Sequence, residues 1–231
     1  MLWYPGENWY TKNMKETICW LPGWASDFAL WSKYIQTRFP RAEHKFIGYE
    51  EMLEARDHLE DLPAIRDAAV VVAWSLGSLL ALRSAPKFRT HQAIIAISPV
   101  AWFCHPELGW STRVLERMIS RLRQNPRAVL EAFATQMGPV PDLDKVAWVE
   151  NALRYSVSNL VHGLELLEVE IAPRLDTLAQ HRPIHLIAGG MDSVVSPELT
   201  LWLERELNPQ SIQMQPEMSH WPFSGDWAMP V

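Results

Sequence analysis

Short apolar runs alternate with amphipathic stretches along most of the chain. Residues 17–21, 44–49, 68–73, 93–97, 184–188 and 211–215 read as strands, and residues 28–39, 50–62, 78–83 and 198–207 have helical composition. The runs at 68–72 and 93–97 are continuous and apolar, which predicts strands buried on both faces. This alternation predicts an α/β fold with a mostly parallel central sheet and helices on both faces. Between residues 97 and 184 the pattern is almost wholly helical. Asn125-Pro126 is a cap and first turn, Gly138-Pro139 and Pro141 break the chain, and one long helical pattern follows through Trp148, Leu153, Leu160 and Leu164. The expected organisation is a core of residues 1–100 and 180–231 with a helical lid, residues 101–179, inserted over the strand ends.

Composition narrows the classes. The chain has 231 residues, of which 48% are hydrophobic and 21% charged, enough for one domain with a large core. Its net charge of −6 gives no overall positive field for nucleic acid. Cys19 and Cys104 are too few for a disulfide framework, and no pairing of zinc ligands is evident, so no metal is expected. There is no apolar run of about 20 residues for a membrane span and no basic-then-apolar leader. The expectation is a cytoplasmic monomer. Twelve tryptophans are many for this length; ordinary core filling and an apolar pocket both account for them.

The candidate chemistry starts at Val71-Val72-Ala73-Trp74-Ser75-Leu76-Gly77, where a buried strand runs into a helix through a tight turn. A serine at such a corner presents its hydroxyl, and the Leu76 amide lies at a helix N-terminus, where negative charge is stabilised. A serine needs a base and a group to orient that base. Asp192 follows the 184–188 strand in Gly189-Gly190-Met191-Asp192, and His220 follows the last strand, so both belong at the carboxyl edge of the sheet. Glu198 and Asp226 are the fallback acids. A second amide donor beside Leu76 is expected from Pro22-Gly23-Trp24, through the Trp24 N–H; Pro22-Gly23 would turn the chain in either case.

Pro-Gly-Trp-Ala, Trp-Ser-Leu-Gly-Ser, Gly-Gly-Met-Asp-Ser-Val-Val-Ser-Pro and Ser-His-Trp-Pro-Phe, in this order around a helical insertion, resemble the α/β-hydrolases. Within them the chain is most similar to the pimeloyl-acyl carrier protein methyl ester esterases of biotin synthesis. The resemblance implies a catalytic triad of Ser75, Asp192 and His220, an oxyanion hole from the Trp24 and Leu76 amides, and no cofactor. The chain departs from the pattern at Ala73 and Pro22, where glycine and histidine are usual, and has eleven residues after His220.

Charge on the lid bears on the partner. Residues 110–127 hold Arg113, Arg117, Arg121, Arg123 and Arg127 against one acid, Glu116. Leu115, Met118, Ile119 and Leu122 form an apolar stripe, with Arg113, Arg117 and Arg121 on the opposite face. Such a row suits an acidic acyl carrier protein bearing the substrate and is equally an ordinary solvated face; Arg127 and Arg154 are further docking candidates. Trp24, Trp102, Phe103, Trp110 and Trp221, most of them just after strand ends, are the candidate lining of the acyl slot. The main expectation is a serine carboxylesterase acting on a carrier-bound methyl ester. Alternatives are an acyl thioesterase, a general short-chain esterase, and a non-catalytic binding protein of the same fold.

Overall fold

The structure is a computed structural model that describes residues 16–138, 145–168, 178, 182–224, 227 and 229. Six strands, β1 (Thr17–Leu21), β2 (Glu43–Phe46), β3 (Val70–Trp74), β4 (Ala93–Ile97), β5 (Ile184–Gly189) and β6 (Ser211–Gln215), form one sheet in the order β2-β1-β3-β4-β5-β6. Every neighbouring pair is parallel. β3, β4 and β5 are buried along their whole length, so both faces of the sheet are covered, as a parallel sheet requires. The α-helices whose bounds fall among the described residues are, in chain order, α1 (Ser32–Arg38), α2 (Tyr49–Glu54), α3 (Pro63–Arg66), α4 (Leu76–Ser84), α5 (Thr112–Gln124), α6 (Pro126–Gln136), α7 (Lys145–Ala152), α8 (Val157–Leu166) and α9 (Pro197–Leu207).

Strand order fixes where a site can form. The chain passes from β1 to β2 on one side and then returns to place β3 on the other side of β1. Connections leaving β1 and β3 therefore diverge, and a crevice opens at the carboxyl ends of these two strands. Leu21-Pro22-Gly23-Trp24 leaves β1 there and Ser75 leaves β3 there.

Three predicted elements change, one of them the helical stretch over 50–62, where α2 ends at Glu54 and only a 3-10 turn, Leu59–Asp61, follows. β2 ends at Phe46 rather than at residue 49, because Gly48 starts α2 and its N–H is taken by the Glu51 carboxylate at 3.3 Å. The single helical pattern through Trp148 and Leu164 is two helices, α7 and α8. Ser156 begins the second by accepting the Asn159 N–H on its hydroxyl at 3.0 Å. The Asn125 cap is present, its side chain accepting the Ala128 N–H at 3.1 Å with Pro126 at the first helical position. Helices α5 to α8 all lie between β4 and β5, and Leu115, Ile119 and Leu122 are the buried residues of α5. Pro139 and Pro141 are outside the described residues.

Candidate active site

At the end of β3 the backbone turns abruptly. Ser75 has φ 53° and ψ −116°, a conformation that costs an L-residue about 1–3 kcal/mol and persists only where its surroundings impose it. Two contacts impose it. Gly77 lies so close to the β1 loop that a Cβ there would sit 2.6 Å from the Pro22 carbonyl oxygen. The Ser78 hydroxyl donates to the Ser75 carbonyl at 2.6 Å and accepts the Val100 N–H at 2.9 Å, tying the turn to the end of β4. Leu76, the next residue, is the first of α4, so its amide is one of the unpaired donors at the positive end of that helix.

Ser75 lies in a hydrogen-bonded chain of buried groups. His220 Nε2 is 3.0 Å from Ser75 Oγ, and His220 Nδ1 is 2.9 Å and 3.1 Å from the two oxygens of Asp192. With Nδ1–H facing the carboxylate, Nε2 is left to accept the serine proton. Asp192 Oδ1 also accepts the N–H groups of Val194 at 2.9 Å and Val195 at 2.8 Å. Burial by itself would push the Asp192 carboxyl up; the charge and hydrogen bond of His220 and the Val195 amide outweigh it and hold the carboxyl below its ordinary range. Asp192 thus stays ionised beside the ring. Burial pushes the Cys19 thiol up to about 12, so it is no competing nucleophile at neutral pH.

The loops carrying the acid and the base are built together. Gly190 N–H donates to Gln215 O at 2.8 Å and Met191 N–H to Met218 O at 3.0 Å, so the ends of β5 and β6 deliver Asp192 and His220 side by side. Aromatic packing holds the histidine loop from behind. Trp74 donates its indole N–H to the His220 carbonyl at 2.9 Å, and Trp221 and Phe223 pack edge-on against Trp74 with centroids 5.5 and 5.2 Å away. Phe223 in turn stacks on Trp31 at 4.4 Å.

Above Ser75 is a cavity of about 10 Å³, lined by Trp24, Phe103 and Trp110 from the loops and by Leu115, Met118, Phe133, Leu164, Leu167 and Val194. That is room for about one water. A groove of about 540 Å³ lies between α5 and α6 and shares Trp110, Met118 and Phe133 with the cavity. These three side chains are the partition between the two spaces.

Trp24, Phe103 and Trp110 are therefore around the serine, whereas Trp102 and Trp221 are elsewhere. Trp102 packs against His105 and Trp202, and Trp221 is behind His220. The reason is local: both follow strand ends, but their rings turn away from the crevice into aromatic clusters. Sequence reasoning missed Phe133, Leu164, Leu167 and Val194 as lining and Ser78 as a brace. The lone clue was the serine three residues after Ser75, at helical spacing. Trp24 is anchored by its indole N–H to Leu160 O at 2.8 Å and meets Phe133 edge-on at 5.0 Å. Of the fallback acids, Glu198 is in the first turn of α9, and Asp226 is outside the described residues.

Arg113, Arg117, Arg121, Arg127 and Arg154 are all exposed. Arg117 and Arg121 line the groove, and among the described residues they and Arg113 have no ion-pair partner. Arg127 pairs with Glu150 at 2.8 Å and approaches Glu131 at 3.9 Å, and Arg123 pairs with Glu165 at 3.4 Å. Among the described residues, His58, Glu60 and Asp61 bring possible metal-ligand atoms together, but Glu60 is paired with Lys87 at 2.9 Å.

Comparison with known proteins places this geometry. Two relatives are both named pimeloyl-[acyl-carrier protein] methyl ester esterase. One, from Pseudoalteromonas atlantica, is 25% identical over 88% of this chain and 86% of its own length. The other, from Aromatoleum aromaticum, is 29% identical over 70% of each. Among solved structures, an esterase from Exiguobacterium antarcticum superposes with a TM-score of 0.75 at 13% identity, covering 89% of this chain and 85% of its own. A hydrolase from Oleispira antarctica gives 0.73 at 13% identity, covering 90% and 85%. The sequence profile of the alpha/beta hydrolase family matches residues 19–228, nearly the whole sheet, the insertion and the three loops just described. The chain belongs to the alpha/beta hydrolase family.

Proposed function

We propose that this hydrolase is a serine carboxylesterase that removes methanol from the methyl ester of a medium-length acyl chain attached to acyl carrier protein, the pimeloyl ester of biotin synthesis. The observation that carries the reading is the buried Ser75–His220–Asp192 chain beneath a cavity partitioned from an arginine-flanked groove. Both relatives' names describe the same reaction.

In this reading Ser75 Oγ attacks the ester carbonyl while His220 Nε2 takes its proton. The oxyanion receives the Trp24 and Leu76 N–H groups. Collapse of the tetrahedral intermediate breaks the C–O bond to methanol, which leaves with the proton held by His220. Water then attacks the acyl-enzyme, again giving its proton to His220, and releases the free carboxylate and Ser75. Asp192 remains ionised and holds the ring. No step calls for a cofactor. In this reading the acyl chain enters from the groove as Trp110, Met118 and Phe133 part.

Arg113, Arg117 and Arg121, without an ion-pair partner among the described residues, are the docking row for the acidic carrier, with Arg154 an additional exposed candidate. Arg127 contributes less because Glu150 neutralises it. The enzyme acts as a monomer in the cytoplasm. The small cavity favours one second reading, a general esterase of short acyl groups.

Mass spectrometry of pimeloyl-carrier methyl ester after incubation with the protein separates these readings. Loss of one methylene from the intact acyl-carrier supports the proposal, and release of free carrier thiol indicates a thioesterase. No change, with turnover of small soluble esters retained, indicates the short-chain esterase. Ser75→Ala should lower the rate by at least about 10⁴-fold in any hydrolytic case; full activity in that variant would remove the serine mechanism.

A further inference from the structure

Two peptide groups donate to Asp192 Oδ1, and each is held from its other end by a side chain that also lines the α5–α6 groove. The first is the unit joining Ser193 to Val194. Its N–H points at Asp192 Oδ1, 2.9 Å away, and its carbonyl oxygen accepts Gln136 Nε2 at 3.2 Å. The second joins Val194 to Val195. Its N–H donates to Asp192 Oδ1 at 2.8 Å, and its carbonyl accepts Trp110 Nε1 at 2.9 Å. A peptide group is planar with its N–H and C=O opposed, so fixing the oxygen fixes the direction of the hydrogen. Donation to the oxygen also polarises the N–H, which strengthens its bond to the carboxylate.

The contacts are more than incidental packing. The Ser193 hydroxyl returns a bond to the Gln136 carbonyl at 2.7 Å, closing a reciprocal pair with α6. Ser196 Oγ donates to Leu108 O at 3.2 Å, just before Trp110. Gln136 and Trp110 are half-buried and both line the groove, and Trp110 also lines the cavity over Ser75. A molecule filling the groove therefore meets the same two side chains that orient the donors to Asp192.

We propose that Gln136 and Trp110 are positioning residues that act through the Ser193–Val194 and Val194–Val195 peptides to hold the carboxylate of Asp192 against His220, and so link occupation of the groove to the readiness of Ser75. This rests on the reading of Ser75, His220 and Asp192 as the working triad.

The test is a double-mutant cycle on the rate at which a fluorophosphonate probe labels Ser75, a readout that needs neither the carrier nor the natural ester. Gln136→Glu keeps the side-chain shape but loses the donor, and Trp110→Phe keeps an aromatic ring but loses its N–H. Together they should slow labelling by about 10-fold in the wild-type background and by less than about 2-fold when Asp192 is already alanine. Equal losses in both backgrounds would overturn the link and leave Gln136 and Trp110 as ordinary wall residues; no loss in the wild-type background would also overturn it. Ser193→Thr, which keeps the hydroxyl bonded to α6, should label like wild type, whereas Ser193→Ala should fall between wild type and the double variant. Failure of the underlying reading has a different signature: labelling would then persist in Ser75→Ala.

Discussion

A side-chain carbon on Gly77 would lie 2.6 Å from the carbonyl oxygen of Pro22. This places the first turn of α4 directly against the loop from β1, the two segments whose Leu76 and Trp24 amides are proposed to receive the oxyanion. Gly77→Ala should push the Pro22–Trp24 loop outward. The expected result is a loss of about 10²-fold in kcat on small esters with a stability cost of about 1–3 kcal/mol, read from steady-state kinetics and urea unfolding. Wild-type kinetics in this variant would mean that the loop does not set the oxyanion site.

Asp192 makes a pH prediction with a definite sign. Its folded-state carboxyl lies below the ordinary range, with burial opposing the shift and His220 and the Val195 amide producing it. A depressed carboxyl contributes stability above its unfolded value of about 3.9, and that contribution is lost as pH falls through the folded value. The stability advantage of wild type over Asp192→Asn should therefore shrink as the pH falls below about 4. Urea unfolding of the two proteins between about pH 5 and pH 2 checks it; an advantage that grows below about pH 4 would contradict the assigned direction.

Phe133 separates groove from cavity while touching Trp24, Trp148 and the His220 ring, whose centroid is 6.2 Å away. Phe133→Ala should join the two spaces. We expect hydrolysis of p-nitrophenyl esters to shift toward longer acyl chains, alongside a loss of about 3 kcal/mol in stability. An unchanged chain-length profile would show that entry does not pass this ring.

Charge reversal should distinguish arginines that look alike in sequence. Arg117→Glu and Arg121→Glu should each lower kcat/KM on the carrier-bound ester by about 10-fold at low ionic strength, with small esters unaffected and the difference fading in salt. Arg127→Glu should do much less to carrier-bound turnover, since its charge already faces Glu150 and Glu131. Equal effects from all three would place the docking surface on both α5 and α6.

The sheet was legible because its central strands carry an unmixed apolar code. Val70, Val71 and Val72 or Ala93 through Ile97 fit little else, although β3 runs on to Trp74 because Trp74 pairs with Ile97. The meeting of Ser75, Asp192 and His220 was legible because each follows a strand at the same edge of the sheet. Edge and insertion were harder. The predicted continuation of β2 gave way to the Gly48-to-Glu51 cap, a local signal that a run of apolar and aromatic residues obscured. The lining of the cavity was hardest. Phe133, Leu164 and Trp102 differ in role only through how four helices and a loop are docked, and periodicity along one helix does not carry that information. Ala73, a departure from the family pattern, is fully buried in β3 opposite Ala96, so a methyl group is accommodated there.

Among the described residues Arg127 and Arg123 pair with acids whereas Arg113, Arg117 and Arg121 have no such partner, which gives α5 and α6 an electrostatic slope rather than a uniform coat. A slope exerts torque. An acidic body drifting toward α5 is rotated as well as attracted, and its approach is biased to one heading across the groove before any contact is made.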